Sequence, residues 1–190
     1  MLTGGFAKNV MPNGLSDPDD PTQVSWGGYH RYGTCPDRET TAWTCWEQPM
    51  RDTSIEYFRR FYPDQLNDFI ARIEWARDGE GNRNPVTVVN GDSSIKPLVI
   101  EAKAGKTIKL DASGSFDPDG DGLDFHWWQQ AEAGSDNNAQ TILDLGDATQ
   151  PSVKITLPDE PGQQLHIICE IHDEGPWNLV SYKRVIIDVI

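Results

Sequence analysis

The pattern of apolar and polar positions changes twice along the chain. Residues 1 to about 62 are rich in Gly, Pro, Trp, Arg and Tyr and show little periodicity, which is unusual for so long a stretch of a compact domain. A helical repeat follows, for which Pro63 suits the start and Gly79 suits the end. Apolar residues spaced three or four apart predict a helix at about 64–77, namely Leu66, Phe69, Ile70 and Ile73.

After the linker GEGNRNP, short runs of alternating or β-branched residues continue to the end of the chain. Turn residues separate these runs, and no helical pattern interrupts them, which argues against a parallel α/β sheet. The sequence predicts an all-β fold, an immunoglobulin-like β-sandwich over residues 85–190, with residues 1–80 as the tail of a preceding domain that packs against it. The predicted strands are VTVVN, LVIEA, KTIKLDAS, LDFHWWQQ, TILDL, SVKITL, QLHIICEIHD and YKRVIIDVI.

The charge of the chain narrows the classes of partner. It carries 16 basic and 30 acidic residues, a formal net charge of −14, and so should repel nucleic acid and anionic membrane surfaces. No apolar run approaches the roughly 20 residues that span a bilayer. The first residues, MLTGGFAKNVMPNG, lack the basic and apolar regions of a signal peptide, and an exported parent would have lost its signal peptide if this chain is a fragment.

Cysteine and histidine positions predict no zinc site. Cys35 and Cys45 bracket a short loop and would form a disulfide in an oxidising compartment, whereas Cys169 is expected to be a buried free thiol. The sequence leaves the redox compartment open. The histidines share no ligand spacing with the cysteines, and no nucleophile elbow or phosphate-binding loop is present, so no catalytic residue is predicted. The four histidines are His30, His126, His166 and His172.

The acidic segment DPDGDG has two interpretations. Asp117, Asp119 and Asp121 stand at alternate positions before Gly122, as at the start of an EF-hand loop, and a hard cation such as calcium would relieve their repulsion. However, position twelve would be Trp128 instead of a bidentate Glu, and no helices flank the loop. The alternative is a tight turn in which the Asp side chains accept backbone N–H bonds and a Gly takes a positive φ.

Two adjacent tryptophans follow, and strand geometry sends them to opposite faces. Trp127 shares its face with Leu123 and Phe125 and is predicted to lie in the core. His126, Trp128 and Gln130 share the other face and are the candidate ligand-binding residues, with Trp128 stacking on a sugar ring. In the alternative, the N-terminal region covers Trp128. The aromatic residues of that region are Trp26, Tyr29, Trp43 and Trp46.

Several blocks of the sequence resemble a known family. AGKTIKLDASGSFDPDGDGLDFHWW, IICEIHDEG and YKRVIIDVI are similar to the polycystic-kidney-disease-like (PKD-like) and related immunoglobulin-like modules of secreted bacterial proteins. Together with MPNGLSDPDDPTQVSWGGYHRY, YPDQLNDFIARIEWA and NPVTVVNGD, they resemble the C-terminal part of the bacterial cellulose-binding protein family. Those proteins have a nucleoside-hydrolase-like N-terminal domain and an immunoglobulin-like C-terminal domain.

The resemblance implies an extracellular or periplasmic, non-catalytic accessory module that binds a polysaccharide, cellulose or a related β-glucan. In a second interpretation the chain is the C-terminal support of a nucleoside-hydrolase-like glycosidase, and in a third it is a structural spacer. The aspartate cluster of nucleoside hydrolases, D-x-D-x-x-x-D-D after a strand, is not matched by SDPDDP at residues 16–21. No hydrolase residue is therefore carried over to this chain.

Overall fold

The computed structural model describes residues 13–20, 23–25, 31–34, 41–44, 50–135 and 142–190. Within these ranges the chain forms one long helix and eight strands, with a single 3₁₀ turn at Ala131–Ala133. The elements are β1 (Arg31–Thr34), β2 (Thr41–Thr44), α1 (Met50–Asp78), β3 (Leu98–Ala102), β4 (Thr107–Asp111), β5 (Leu123–Gln129), β6 (Ser152–Thr156), β7 (Gln164–Asp173) and β8 (Val180–Val189).

The later strands form two sheets around one core. The larger sheet has the order β3-β8-β7-β5 and the smaller one pairs β4 with β6. All pairs are antiparallel except β3 with β8. Both sheets contribute buried side chains to the same cluster, so this part of the chain is a two-layer, mostly β domain. Its members include Leu110, Trp127, Val153, Ile155, Ile167, Cys169, Ile171, Val185 and Ile187.

Helix α1 is twice as long as predicted. It begins at Met50 instead of near residue 64, and Pro63 lies inside it. An interior proline removes a main-chain hydrogen bond and crowds the preceding turn, but α1 has buried side chains on both sides of Pro63 whose packing offsets that cost. The buried positions recur at helical spacing from well before the proline; they are Ser54, Tyr57, Phe61, Asp68 and Ala71. The predicted end is confirmed, because Gly79 follows the helix with φ +80° and donates to the carbonyl of Trp75 at 2.9 Å.

Six of the eight predicted strands are present, and two predictions are wrong. VTVVN makes only isolated bridges at Val86 and Val89, because Asn90 and Gly91 have positive φ and turn the chain away from a ladder. The described part of TILDL is not a strand either: the Leu143 N–H donates to the Gln129 side chain at 2.8 Å. The N-terminal region, predicted to be irregular, contains the antiparallel pair β1 and β2.

The segment before β3 covers the face of the larger sheet that points away from the core. A second cluster forms there from Leu15, Val24, Tyr57, Phe61, Trp128, Ile168, Val180 and Tyr182. Arg184 is fully buried beneath this segment, and its guanidinium donates to the carbonyls of Leu15 and Val24, each at 2.7 Å. Among the described residues, no helix combines the length and apolarity needed to cross a membrane.

Candidate functional site

The two adjacent tryptophans lie on opposite faces of β5, as strand geometry requires. Trp127 is 1% exposed and belongs to the core between the two sheets. Its indole N–H donates to the carbonyl of Gln150 at 3.0 Å, which satisfies its polar atom inside the core. Trp128 is 9% exposed and belongs to the cluster on the other face.

Trp128 is covered, so the open sugar-stacking face predicted for it is absent from this structure. The guanidinium carbon of Arg60 lies 3.8 Å from its ring centroid, and the Phe61 ring lies 6.3 Å away. The covering residues described here come from α1; the side chains of Trp26, Tyr29, Trp43 and Trp46 lie outside the described residues.

The other two predicted ligand-binding residues differ in exposure. His126 is exposed, whereas Gln130 is fully buried. Trp128, His126 and Gln130 therefore do not form one open surface. The alternative interpretation, in which the N-terminal region covers Trp128, agrees with this cover, but the covering residues Arg60 and Phe61 were not among the aromatic residues expected there.

Beneath Arg60 lies a polar network that joins α1 to the larger sheet. Glu170 accepts the indole N–H of Trp128 at 2.8 Å and lies 3.5 Å from the Arg60 guanidinium. Burial favours the neutral form of Glu170, but the hydrogen bonds from His172 and Trp128 and the charge of Arg60 outweigh it and lower its pKa. On the neighbouring edge of the network, the hydroxyl of Tyr182 donates to Asp64 at 2.9 Å.

His172 lies between two hydrogen-bond acceptors, which favour its imidazolium form. Its Nε2 lies 3.1 Å from a Glu170 oxygen, and its Nδ1 lies 3.3 Å from the Asn178 carbonyl. A carboxylate and a carbonyl both accept hydrogen bonds, so the two contacts suit a ring that carries a proton on each nitrogen. Burial opposes this charge, but the hydrogen bonds to Glu170 and Asn178 prevail and raise the pKa of His172.

The acidic segment is a tight turn. Asp117 Oδ1 accepts the backbone N–H groups of Asp119 at 2.7 Å and Asp121 at 3.3 Å, and Gly120 has φ +87°. Asp119 in turn accepts the backbone N–H of Arg83 at 2.7 Å. The turn interpretation of this segment is therefore confirmed.

Calcium at this turn stays a prediction. Across the described ranges, no group of three or more His, Cys, Asp or Glu side chains is placed to hold a metal ion. One local feature favours a cation: Asp117 Oδ2 is buried and has no hydrogen-bond partner among the described residues. A buried carboxylate oxygen in this state is destabilising unless a cation, proton or water satisfies it.

The connection from β7 to β8 holds an exposed tryptophan in an uncommon backbone conformation. Asp173 is fully buried, and its Oδ1 accepts the backbone N–H groups of Gly175 and Leu179, each at 3.0 Å. Within the turn that these bonds fix, Trp177 has φ +73°, which non-glycine residues rarely adopt. Its side chain is 38% exposed, and its indole N–H donates to Glu74 of α1 at 2.7 Å.

A second tryptophan lies close by on α1. The indole N–H of Trp75 donates to the Asn82 carbonyl at 2.7 Å, and the Asn82 amide donates to the Pro176 carbonyl at 2.8 Å. Two guanidinium groups lie over the Trp75 ring, those of Arg83 at 4.2 Å and Arg72 at 5.3 Å. We call the surface formed by Trp75, Trp177, Glu74, Asn82 and Arg83 the aromatic edge.

Sequence reasoning missed the aromatic edge, although a signal was present. The stretch EGPWN places a tryptophan between Pro176 and Asn178, and these are turn residues. A tryptophan inside a short turn between two strands has no core position to occupy. Its bulk therefore has to lie at the surface or against a neighbouring element.

Of the cysteine predictions, the one for Cys169 can be compared with the structure, and the one for Cys35 and Cys45 cannot. Cys169 is a buried free thiol, as predicted, and burial raises its pKa well above the ordinary value. Cys35 and Cys45 lie outside the described residues, so their disulfide stays a prediction. His166 is also buried, and burial together with the charge of Arg184 lowers its pKa to about 4.

Comparisons with known proteins agree with the sequence resemblance. A solved nucleoside hydrolase-related hypothetical protein from Saccharophagus degradans, associated with carbohydrate metabolism, is 32% identical with a TM-score of 0.78. The match covers 94% of this chain and 45% of that one, so this chain spans less than half the length of the relative. No curated protein matches the chain.

A PKD domain from the KIAA 1837 protein is 17% identical with a TM-score of 0.35, covering 49% of this chain and 78% of that one. A likeness this low does not decide the fold family. The family model of "Cellulose-binding protein Sde0182, C-terminal domain" matches residues 107–189. These residues include strands β4 to β8, so this part of the chain is similar to that family, and the predicted resemblance is confirmed there.

Proposed function

We propose that this chain is a non-catalytic carbohydrate-binding accessory module of an extracellular polysaccharide-processing protein, with cellulose or a related β-glucan as its ligand. The observation that carries the proposal is the match of residues 107–189 to the C-terminal domain of a cellulose-binding protein. The net charge of −14 suits a neutral polysaccharide, since a polyanion would be repelled. We further propose that the two-layer domain is an immunoglobulin-like sandwich, which its two sheets around one core support.

The aromatic edge is the surface we assign to the sugar. The C–H groups on one face of a pyranose ring are apolar, and an exposed indole offers a flat apolar surface of matching size. Trp177 is exposed, and its hydrogen bond to Glu74 holds the ring in place. Glu74 and Arg83 bring a carboxylate and a guanidinium beside the rings, and such groups can bind hydroxyls.

The backbone of Trp177 supports this assignment. Residues in rarely populated φ regions carry strain of about 1–3 kcal/mol, and such strain is concentrated at functional sites. Here two consecutive non-glycine residues, Trp177 and Asn178, have positive φ. The fixed turn presents the indole at the surface, whereas Trp128 is beneath Arg60.

Retention on insoluble cellulose tests the proposal. We expect the chain to be retained, and Trp177→Ala to weaken binding at least tenfold without unfolding the domain. Phe58→Ala is the matched control, because Phe58 is also an exposed aromatic at 42% but lies more than four helical turns from Glu74. Failure of the unaltered chain to bind any β-glucan would reject the function. Normal retention of Trp177→Ala would reject only the aromatic edge.

A second candidate function is support of a nucleoside-hydrolase-like catalytic domain. It is favoured by the 32% identity to the nucleoside hydrolase-related protein, of which this chain covers 45%. In this case the chain would not bind cellulose, and its removal from the full-length parent would reduce the stability or activity of the catalytic domain. A spacer would show neither effect.

A further inference from the structure

Helix α1 carries a long apolar stripe that the described residues leave exposed. Its members recur three or four positions apart, so they line one side of the helix, and each is between 40% and 54% exposed. From the first to the last the stripe is about 27 Å long, at 1.5 Å per residue. It consists of Ile55, Phe58, Tyr62, Leu66, Phe69 and Ile73.

The stripe lies beside the face of α1 that is buried on the sheet. The buried residues Ser54, Tyr57, Phe61 and Asp68 each precede one member of the stripe in sequence. One residue corresponds to a rotation of about 100° about the helix axis, so the stripe is a flank of the helix next to its packed face. The apolar arc of α1 is therefore wider than one packing surface requires, which is the pattern of a helix buried on two sides.

Single exposed apolar residues are ordinary, but a contiguous row of large ones marks an interaction site. The stripe includes three aromatic rings, and two of them already contact each other: Phe58 and Tyr62 have centroids 5.7 Å apart. Aromatic side chains are enriched in the centres of interfaces. The surface is also held in a fixed position, because Arg60 and Asp64 tie the same helix to Glu170 and Tyr182.

We propose that the stripe is the docking surface for a second domain of the same polypeptide, the counterpart of the part of the nucleoside hydrolase-related protein that this chain does not cover. That relative is more than twice as long as the matched region, since the match covers 45% of it. The match also covers 94% of this chain. The remainder is about 11 of 190 residues, fewer than the 29 residues of α1. The relative therefore has a counterpart of most of α1 together with a further domain.

This inference rests on the family relationship and on the stripe, and it does not depend on carbohydrate binding. In the proposed arrangement α1 lies between two domains. One of its flanks packs on the larger sheet, and the other packs on an apolar surface of the second domain. The stripe is apolar, so the second domain would offer an apolar surface in return. Interfaces between domains of one chain bury about 600–1,500 Å², and a row of six large side chains is suited to such a contact.

The test produces the upstream domain of the parent as a separate protein and measures its binding to this chain by titration calorimetry. We expect binding, and we expect the double variant Phe58→Asp with Phe69→Asp to weaken it at least tenfold. Ile142→Asp is the control, because Ile142 is a 71% exposed apolar residue outside α1; it should bind like the unaltered chain. Leu66→Lys supplies a single substitution in the stripe should the double variant fail to fold.

Three outcomes would overturn the proposal. Equal binding by the stripe variants and the control would place the contact elsewhere. A chain that forms dimers in sedimentation experiments, and loses them in the stripe variants, would identify a second copy as the occupant. A parent gene without an upstream domain would remove the proposed partner altogether.

Discussion

At the scale of single residues, the neighbours Trp127 and Trp128 lie on opposite faces of one strand and in different clusters. Trp127 fills the core between the sheets, and Trp128 fills the contact between the larger sheet and α1. The assignment of faces follows from the two-residue period of a strand and could be predicted from the sequence. What covers Trp128 could not be predicted, since Arg60 and Phe61 reach it through a tertiary contact.

The two positions predict different consequences of truncation. Trp127→Ala should lower the free energy of unfolding by about 3–5 kcal/mol, the usual cost of removing a buried aromatic, and the whole β domain should lose stability. Trp128→Ala removes the indole ring against which the side chains of Arg60 and Phe61 pack. It should make residues 1–80 sensitive to limited proteolysis while the β domain stays folded. A Trp128→Ala protein that unfolds globally, beside a stable Trp127→Ala protein, would contradict the core assignment.

His172 and Glu170 predict how the contact between α1 and the sheet depends on pH. The pKa of His172 is raised, so its contribution is complete below the unfolded value of about 6.5 and is lost as the pH rises through the folded value. The pKa of Glu170 is lowered, so its contribution is present above its unfolded value of about 4.3 and is lost as the pH falls through the folded value. The contact should be most stable between these two limits.

Urea unfolding at a series of pH values checks this prediction. Stability should fall as the pH rises from about 6 to about 8, the region around the ordinary histidine pKa. In His172→Gln this decrease should be much smaller, because glutamine does not titrate. His126→Gln serves as the control, since His126 is exposed on the same face of the sheet, and it should keep the pH dependence. An unchanged profile in His172→Gln would show that other groups control it.

At the scale of elements, strands were easier to predict than the helix. Alternation identified the strands of both sheets, because each has one face in the core. It failed for VTVVN, where the chain turns at Asn90 and Gly91, and for TILDL, where the backbone N–H of Leu143 donates to the side chain of Gln129. The length of α1 was missed because Pro63 suggested a start, although the spacing of Leu66, Phe69 and Ile73 continues back through Tyr62, Phe58 and Ile55. The aromatic edge depends on contacts between the β7–β8 turn and α1, such as that of Trp177 with Glu74. These residues are far apart in sequence, so a local sequence pattern could not predict the contact.

The turn at Asp117 gives a prediction on this scale. Asp117→Ala leaves two backbone N–H groups without their acceptor and should lower the free energy of unfolding by about 1–3 kcal/mol. Asp117→Asn keeps a side-chain oxygen and should be less harmful. Chemical denaturation of both variants measures the difference. Equal losses in the two variants would show that the charge, and not the hydrogen bonds, stabilises the turn.

The same turn carries the calcium prediction, which melting temperatures test. A ligand that binds only the folded protein raises its stability by about 2.7 kcal/mol at a hundredfold excess over its Kd. If calcium binds beside Asp117, Asp119 and Asp121, a chelator should lower the melting temperature and Asp119→Asn should abolish that difference. Equal melting temperatures with and without the chelator would leave the turn as a purely structural feature.

At the scale of the whole molecule, helix α1 connects the β domain to both proposed surfaces. It packs on the β sheets through Tyr57 and Phe61, carries Glu74 and Trp75 of the aromatic edge near its C-terminal end, and presents an apolar stripe along its flank. In our proposals, the polysaccharide binds at one end of α1 and a second domain packs along its side. The two surfaces consist of different residues and adjoin at Ile73 and Glu74, so substitutions at Trp177 and at Phe58 test them one at a time.

The most direct test of the central claim is a binding isotherm of the unaltered chain on insoluble cellulose, measured at low and at high salt. We predict saturable binding that changes little with salt, because stacking on a neutral sugar does not depend on screened charges. The Trp177→Ala variant should need at least ten times more protein to reach half saturation. No saturable binding at either salt concentration would contradict the account.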